Sequence, residues 1–424
     1  MQGCKDNFSL SDWLNWLETL HPQEIELGLE RVAQVYQCLN PNQRPLARQV
    51  IMVAGTNGKG SCIAMLESIL LTAGYSVGSY TSPHLKYYNE RIRIGGIDMD
   101  DRTLCCSFAR VEAARGDTSL SYFEFGTLSA FDIFTRHKLD IVLLEIGLGG
   151  RLDAVNIAEP DISVITSIGI DHEDWLGHDR ETIGVEKAGI MRSGKPVVCG
   201  ERDLPQSVRD VAIRKGADLQ CIGEDFDYQR DDSCWEWSGI GGVELKGLSV
   251  PSLRGACQFN NAATVLAVFQ NLKLFPVDVF DINEGLEDVH CRGRFEVDDD
   301  NPHIIYDVAH NRDSAATLAD TLASQPFAGA VRVVFGVMAD KDIAAIVSRL
   351  TPQVDHWYLP ALSVSRAAEP QAIEKVCIDN GVSPEVIVRC PSVQAALMQA
   401  GQDAGEDDQI VVCGSFYTVA EAMS

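Results

Sequence analysis

Short apolar runs alternate with amphipathic segments along most of the chain, and this alternation predicts an α/β fold. The runs Gln49–Ala54, Asp140–Glu145 and Asp161–Thr166 are apolar almost throughout. Such runs indicate strands that are covered on both faces, as in a parallel sheet. Cys62–Ala73 and Phe125–His137 have apolar residues at helical spacing. Because these segments lie between the strands in the chain, we predict helices that connect parallel strands.

The pattern changes twice, and these changes predict how the chain divides into domains. Asp225–Val250 is rich in aromatic, glycine and acidic residues, which is typical of a β-hairpin or small meander. An acidic stretch at Val297–Asn301 is followed by a new alternation of strands and helices. The 424 residues also exceed the length at which one core usually stops growing. We predict an N-terminal domain at residues 1–288 with a parallel sheet and a small β element, a linker at 289–297, and a smaller Rossmann-like α/β domain at 298–424.

The charge balance restricts the partners that the protein can have. Asp and Glu outnumber Lys and Arg by 61 to 35, for a formal net charge of −26. We expect no binding of nucleic acid or of an anionic membrane through a broad basic surface. No apolar run is long enough to span a bilayer, and the 13 cysteines lack the C-x-x-C spacing. We therefore expect a cytoplasmic protein that holds anionic ligands locally, with backbone amides, a few cations or Mg²⁺.

A glycine-rich segment between the first strand and the next helix is the most specific chemical feature. Gly55–Ser61 has the sequence GTNGKGS. Glycines let the backbone turn and point its N–H groups at phosphate oxygens, and the N-terminus of the following helix attracts the same anion. Lys59 can reach the terminal phosphates. Gly60 separates Lys59 from Ser61, unlike the usual P-loop spacing, but the segment favours a P-loop-type ATPase domain over a plain strand-to-helix turn.

Four further residues have side chains that suit metal binding or catalysis. For each of them taken alone, the sequence leaves the role open. Glu145 ends a buried strand, where a Mg²⁺ ligand belongs in an α/β sheet, although a solvated strand end is an equal alternative. His172 follows another strand and is by itself more often structural. Lys187 lies in a helical segment, where a surface lysine is ordinary, and Ser82 lies in a turn-like TSPHL segment.

Several separate motifs in one order identify a family. They are VAGTNGKGS (53–61), YTSPHL (80–85), NERIRI (89–94), YFEFGTLSAF (122–131), LEIGLGGRLDAVN (144–156), SIGIDHEDWLGHDRETIGVEKAGIMR (167–192), NNAAT (260–264), GRFE (293–296), YDVAHN (306–311), DKDI (340–343) and CGSF (413–416). On these motifs the chain closely resembles the folylpolyglutamate synthases, in particular the bacterial bifunctional members that are also dihydrofolate synthases. It resembles the Mur ligases of peptidoglycan synthesis more distantly.

The resemblance implies an ATP-dependent ligase that forms an amide between L-glutamate and a pterin or folate carboxylate. Its substrates would be ATP, L-glutamate, and dihydropteroate or folates, and the protein would be a monomer. ATP would convert the carboxylate into an acyl phosphate, which the amine of glutamate then attacks. On this basis the N-terminal domain would bind ATP and the pterin, and the C-terminal domain would be the glutamate-ligase domain.

The resemblance also implies a set of site residues. Positions matched to ATP binding are Thr56, Asn57, Gly58, Lys59, Asn261, Arg294 and Asp307. Positions matched to the ligands of two Mg²⁺ ions are Ser82, Glu145 and His172, and Lys187 matches a lysine that is carbamylated in the family. We expect Lys59, His172 and Lys187 to serve catalysis. Positions matched to the pterin site are His21, Ser121, Tyr122, Phe123, Glu124, Leu152, Asp153 and Ala154. Our candidates for the glutamate pocket are His310 and Ser415.

Three other functions compete with this one. A Mur-type ligase acting on another carboxylate would usually carry an additional N-terminal domain, and here the phosphate loop already begins at residue 55. A non-catalytic P-loop ATP-binding protein would not need the YFEFGT and GGRLDA motifs that fit a pterin pocket. An inactive paralogue is disfavoured because all of the matched catalytic positions are present.

Overall fold

The computed structural model describes residues 8–23, 25–230, 234–325 and 327–424. The chain forms two compact units. The first contains residues up to 168, then 176–250 and 260–289. The second contains residues 290–424 together with two earlier segments, 169–175 and 251–259, which the contiguous division predicted from the sequence does not include.

The strands of the first unit form two sheets. In chain order they are β1 (Gln49–Ala54), β2 (Val77–Tyr80), β3 (Ile92–Ile94), β4 (Ile97–Asp98), β5 (Ile141–Glu145), β6 (Ile162–Ile165), β7 (Pro196–Cys199), β8 (Asp218–Cys221), β9 (Asp227–Arg230), β10 (Trp235–Gly239) and β11 (Val243–Leu248). Among the described residues, the larger sheet has eight strands in the order β4-β3-β2-β5-β1-β6-β7-β8. Its six strands from β2 to β8 in this order pair in parallel, as predicted, and β3 and β4 extend it in antiparallel fashion.

The small β element is also confirmed. Strands β9, β10 and β11 form an antiparallel three-stranded sheet in the region where the composition predicted a hairpin or meander. Trp235 and Trp237 alternate with exposed residues along β10, and both are buried. This period-2 burial is what a sheet with one covered face requires.

Helices α1 to α10 complete the first unit. They are α1 (Leu10–Leu20), α2 (Glu30–Leu39), α3 (Lys59–Thr72), α4 (Asp101–Arg115), α5 (Tyr122–Thr135), α6 (Glu173–Leu176), α7 (Arg180–Ala188), α8 (Gln206–Lys215), α9 (Cys257–Asn271) and α10 (Val279–Glu287), of which α6 and α9 begin in segments that group with the second unit. Helix α6 was not predicted from the sequence. A single helical turn is too short to show a periodic pattern.

Local sequence explains how α1 and α5 begin. Ser9 caps α1 and Ser121 caps α5, each in a reciprocal capping box with the residue three positions later. Trp13 and Leu17 then lie one turn apart on α1 and are buried in a cluster with Phe125 of α5. Burial of aromatic and aliphatic side chains of this size contributes about 1.5–3 kcal/mol each, so this cluster holds both helices against the sheet.

The second unit is a smaller α/β domain. Its strands are β12 (Glu296–Val297), β13 (Ile304–Tyr306), β14 (Val331–Phe335), β15 (His356–Pro360), β16 (Ile387–Cys390) and β17 (Gln409–Cys413). Its helices are α11 (Arg312–Ser324), α12 (Ile343–Leu350), α13 (Pro370–Asp379), α14 (Val393–Asp403) and α15 (Phe416–Ala422). In the part of the chain that the structure describes, its strands follow the order β12-β13-β17-β14-β15-β16, parallel except for β12. The predicted linker therefore includes an edge strand of this sheet.

Within the described ranges, no helix combines the length and the apolar composition that crossing a bilayer requires.

Candidate active site

The phosphate loop connects β1 to α3 and packs tightly against its neighbours. Gly58 has a φ of +87°, and a Cβ atom there would lie 2.7 Å from Oδ1 of Asn261. A Cβ atom at Gly55 would lie 1.8 Å from Oγ1 of Thr166. Glycine is therefore required at both positions, at Gly58 for its left-handed backbone as well as for space. The apolar spacing predicted a helix that begins near Cys62. The helix begins earlier, at Lys59, because the glycine turn ends directly at it.

Residues at the end of the neighbouring strand β6 hold the loop in shape. The Thr166 hydroxyl donates to the Asn57 carbonyl at 2.6 Å, and the Thr56 amide donates to the Ser167 carbonyl at 2.9 Å. The Lys59 ammonium donates to the carbonyls of Gly55 at 3.0 Å and Thr56 at 3.3 Å. The cation thus lies over the loop itself, where a phosphate group would meet it.

Glu145 and Ser82 lie together at the carboxyl edge of the same sheet. Glu145 ends β5 and pairs in register with Val53 of β1, directly before the loop. Its side chain is buried, and the Ser82 amide donates to its Oε2 atom at 3.1 Å. Parallel strands bring their carboxyl ends to one edge. The structure therefore places the Glu145 carboxylate at the strand edge beside β1, as predicted, with Ser82 in contact with it.

The glycines after Glu145 allow two close approaches. A Cβ atom at Gly147 would lie 2.5 Å from the Phe123 ring, and one at Gly150 would lie 3.1 Å from Cα of Lys187. Lys187 is 3% exposed and lies in the last turn of α7. The glycine segment thus brings the Phe123 ring and the Lys187 backbone to the carboxyl edge of the sheet.

Asp153 organises the same segment from within. Its Oδ2 atom accepts from the Leu148 amide at 2.8 Å, and its Oδ1 atom accepts from the Val155 amide at 2.9 Å. Burial raises the pKa of Asp153 to about 7, although these amides and Lys59 oppose the rise. Both carboxylate oxygens therefore shape the turn in which Leu152 and Ala154 also lie.

A polar network joins two separate chain segments of the first unit. His21 bonds through Nδ1 to the Ser119 hydroxyl at 2.8 Å and through Nε2 to Glu26 at 2.6 Å. Arg31 forms an ion pair with Glu26 and donates through Nε to Oε1 of Glu124 at 2.7 Å. Glu124 is buried and also accepts from the amide of Ser121 at 2.7 Å.

The backbone adds a further link, because the amide of Gly28 donates to the Leu152 carbonyl at 3.2 Å. The predicted pterin residues His21, Ser121, Glu124 and Leu152 are therefore connected within one unit. Arg31, which connects His21 through Glu26 to Glu124, was not predicted, since a lysine or arginine on an amphipathic helix is ordinarily a surface residue.

Aromatic rings surround Tyr122 and Phe123, two further predicted pterin residues. Phe123 stacks on Tyr80 with ring centroids 6.1 Å apart. Tyr122 makes an edge contact with Tyr88 at 5.9 Å, and the Arg91 guanidinium lies 5.6 Å from the Tyr122 ring centroid. Such surfaces suit a flat heteroaromatic ring.

The second unit contains the remaining predicted residues. His172 has a φ of +53°, which is uncommon for a residue other than glycine. Its neighbour Asp171 is buried and accepts from Lys341 Nζ at 2.5 Å and from the Asn311 side-chain amide at 3.1 Å. His310 Nε2 lies 3.4 Å from the same carboxylate. Burial would raise the pKa of Asp171, but His310, His172 and Lys341 together hold it well below its usual range.

The predictions missed Asp171 and Lys341, although both lie in motifs that identified the family. Asp171 directly precedes His172, and Lys341 lies in DKDI. Only the tertiary contact between them gives either residue a role, and residues 170 positions apart carry no local pattern that reports it.

Arg294, Asp307 and Ser415 lie on loops of the second unit. Asp307 accepts from the amides of Phe295 at 2.9 Å and Ala309 at 2.8 Å, and burial raises its pKa. The Arg294 guanidinium lies 5.5 Å from the Phe416 ring centroid. Ser415 caps α15, and its hydroxyl accepts from the Thr418 amide at 3.0 Å.

Comparisons with known proteins agree with this arrangement. The model for the Mur ligase middle domain matches residues 53–212, and the model for the Mur ligase glutamate ligase domain matches residues 293–416. The dihydrofolate synthase/folylpolyglutamate synthase of Escherichia coli K12 is 45% identical over 98% of this chain and 94% of that protein.

Solved structures extend the comparison to ligands. The E. coli FolC structure in complex with DHPP and ADP has a TM-score of 0.91 and 43% identity, covering 98% of this chain and 97% of that one. A bifunctional folylpolyglutamate synthase/dihydrofolate synthase with Mn, AMPPNP and L-glutamate bound has a TM-score of 0.89 and 46% identity, covering 98% of each chain. The chain therefore belongs to the dihydrofolate synthase/folylpolyglutamate synthase family of ATP-dependent Mur ligases.

Proposed function

We propose that this protein joins L-glutamate to a pterin or folate carboxylate at the expense of ATP, through an acyl phosphate. It would convert 7,8-dihydropteroate to dihydrofolate and would also extend tetrahydrofolate polyglutamates. The observation that supports this most directly is the phosphate loop with Lys59, which lies beside Glu145 and Ser82 in a chain whose relatives act as these synthases.

The reaction requires a good leaving group, because an amine does not displace oxide from a carboxylate. Transfer of the γ-phosphoryl group to the carboxylate creates that leaving group, and the amine of glutamate then attacks the carbonyl carbon. Lys59 and the loop amides would bind the phosphates and stabilise negative charge on the migrating phosphoryl group. Thr56, Asn57 and Gly58 contribute the loop, and the Asn261 side chain packs against it.

The donor set suits a divalent cation. Ser82, Glu145 and His172 offer a hydroxyl, a carboxylate and an imidazole, and we propose these three as the ligands of two Mg²⁺ ions that accompany ATP. Bound Mg²⁺ would neutralise phosphate charge. Relatives with Mn and AMPPNP bound are consistent with a divalent cation and ATP as ligands.

Lys187 is proposed as a carbamylated lysine. The side chain is only 3% exposed, so a carbamate formed there would be shielded from water. The carbamate would add an anionic group for the cations. If this is correct, Lys187→Ala loses turnover and short carboxylates such as acetate restore part of it, whereas unmodified lysine chemistry would give no such rescue.

The pterin would bind in the first unit. His21, Ser121, Tyr122, Phe123, Glu124, Leu152, Asp153 and Ala154 are the proposed contacts. Support comes from the polar network that connects His21 to Glu124 and from the aromatic surfaces of Tyr122 and Phe123.

The second unit would supply the remaining contacts. We propose Arg294 and Asp307 for the nucleotide, and His310 and Ser415 for glutamate. We further propose that the enzyme is cytoplasmic and monomeric. Light scattering of the purified protein measures its mass in solution and tests the monomer directly.

The test measures ADP release from Mg²⁺-ATP and L-glutamate, with dihydropteroate in one reaction and tetrahydrofolate in another. Release that depends on glutamate with both pterins is the expected result. Release with tetrahydrofolate alone would remove the dihydrofolate synthase activity from the proposal. No glutamate-dependent release with either substrate would refute it.

Variants of the first unit connect this activity to the site. Glu145→Gln keeps the size of the side chain and removes its charge, so we expect turnover to fall by at least about 100-fold with the fold intact. Glu18→Gln, at an exposed position on α1, is the matched control and should retain full turnover. Equal activity of the two variants would exclude Glu145 from the site.

A further inference from the structure

Two cysteines outside the proposed active site face each other across neighbouring strands. Cys199 ends β7, Cys221 ends β8, and the two residues are direct partners in the parallel register. Both side chains are buried, and each thiol shifts the pKa of the other. Directly opposed residues on neighbouring strands lie about 4.8 Å apart, within the roughly 4.4–6.8 Å between Cα atoms that a disulfide spans.

We propose that Cys199 and Cys221 form a reversible dithiol/disulfide site, which a small oxidant such as hydrogen peroxide closes without displacing either strand from the sheet. The site goes beyond the ligase function and does not depend on it.

The environment of the pair favours oxidation at Cys221. The adjacent Cys199 thiol lowers the pKa of the Cys221 thiol against the opposing effect of burial, and the Arg209 guanidinium on α8 also lowers it. The adjacent Cys221 thiol and burial raise the pKa of Cys199. Cys221 is therefore the sulfur that loses its proton first and attacks the oxidant, while Cys199 remains the resolving thiol.

The chemistry balances with peroxide as the only co-reactant. The Cys221 thiolate attacks one peroxide oxygen, the O–O bond breaks, and hydroxide departs. Cys221 is then a sulfenic acid. The Cys199 sulfur then attacks the Cys221 sulfur, the new S–S bond forms, and the sulfenic oxygen leaves as water. Two thiols and one hydrogen peroxide give one disulfide and two waters.

Access and neighbouring charges are consistent with this site. Strand β8 is the last strand of its sheet, so local opening at this edge can admit a molecule as small as peroxide. The nearby carboxylates are already engaged, because Asp225 accepts from the Cys221 amide at 2.8 Å and Glu224 accepts from Arg209 at 3.1 Å. The thiol pair is therefore the reactive part of this cluster.

A connection to the phosphate loop follows from the strand order. Only β6 separates β7 from β1, which leads into the loop. The amide of Gly200, directly after Cys199, donates to the carbonyl of Ile165 at 2.8 Å. Thr166 follows Ile165 directly, and its hydroxyl donates to the carbonyl of Asn57 in the phosphate loop at 2.6 Å. The strands stay paired, but the S–S bond fixes the end of β7, and these hydrogen bonds pass a small shift there to the loop, so we expect reversible loss of ATP-dependent turnover on oxidation.

The test treats the full-length protein with hydrogen peroxide, blocks free thiols under denaturing conditions and digests it with trypsin. Cys199 and Cys221 fall on the separate peptides 193–202 and 216–230, each with one cysteine. We expect a linked species about 2 Da lighter than the sum of the two reduced peptides, the mass of two hydrogens lost on oxidation. Dithiothreitol should remove it.

Matched variants make the result decisive. Cys199→Ser and Cys221→Ser must each abolish the linked species, whereas Cys390→Ser, a buried cysteine of the second unit, must leave it unchanged. Both peptides recovered with free thiols, under peroxide that oxidises the exposed Cys38 and Cys106, would overturn the proposal. A cross-linked sample with the same turnover as the reduced protein would overturn the connection to the phosphate loop.

Discussion

Substitution of Gly58 by alanine tests the packing of the phosphate loop directly. The new Cβ atom would lie 2.7 Å from Oδ1 and 3.4 Å from Cγ of Asn261, and the residue would keep a φ of +87°. Gly74, just beyond the other end of α3, has a φ of +81° and no atom within 4 Å of its Cβ position. The two glycines therefore share the backbone penalty but differ in the contact.

The magnitudes follow from this comparison. A left-handed conformation costs a non-glycine residue about 1–2 kcal/mol, and the reduced freedom of the unfolded chain returns about 0.4–1 kcal/mol. Gly74→Ala should therefore lower the free energy of unfolding by about 1 kcal/mol. Gly58→Ala adds overpacking against a buried side chain, which costs about 1–3 kcal/mol more. Gly58→Ala should therefore lower the free energy of unfolding by about 2–4 kcal/mol in total.

Urea unfolding measures these differences, with the transitions of the two units fitted separately. The Gly58→Ala/Asn261→Ala double variant completes a cycle with Asn261→Ala, and it should recover most of the additional loss. The KM for ATP should rise in Gly58→Ala and stay unchanged in Gly74→Ala. If the two glycine variants are equally destabilised and bind ATP equally well, Asn261 does not pack on the loop as described.

Three other predictions concern charged groups. Lys59→Ala should abolish turnover without unfolding the protein, measured as ADP release beside Lys138→Ala, an exposed control on the same unit that should remain active. Arg31→Met leaves the buried Glu124 without its ion-pair partner, so we expect the free energy of unfolding in urea to fall by about 3 kcal/mol. The KM for the pterin should rise while the KM for ATP stays unchanged. A wild-type free energy of unfolding together with a wild-type KM for the pterin would contradict the network. Because Asp153 has a pKa raised from 3.8 to about 7 in the folded protein, its unfolded form ionises first, and the free energy of unfolding should fall by up to about 4 kcal/mol between pH 4 and pH 7. Asp153→Asn should remove that part of the pH dependence, and an identical slope in both proteins would refute the assignment.

Local patterns were sufficient where a feature depends on neighbours in the chain. Apolar runs predicted β1, β5 and β6, because strands covered on both faces leave no polar positions. The glycines of Gly55–Ser61 predicted the phosphate loop, since the turn chemistry is contained in seven consecutive residues. The acidic end of β5 predicted Glu145 at the carboxyl edge, because parallel strands share that edge.

Family motifs supplied what periodicity could not. Ser82, His172 and Lys187 would each pass for an ordinary turn, loop or helix residue on its own. The motifs around them directed attention to these positions, and the structure then placed Ser82 against Glu145 and placed His172 beside the buried Asp171.

Tertiary structure alone decided the contacts between distant parts of the chain. Arg31 meets Glu124 across 93 positions and Asp171 meets Lys341 across 170, and neither pair leaves a trace in local composition. The segments 169–175 and 251–259 group with the second unit for the same reason, since membership depends on contacts rather than on order along the chain. The sequence by itself thus determined the elements, the phosphate loop and the family, because backbone preferences and burial patterns are local. Which buried charges became paired was decided only on folding, because an ion pair needs two groups to be desolvated at one place, and the packed chain alone specifies that place.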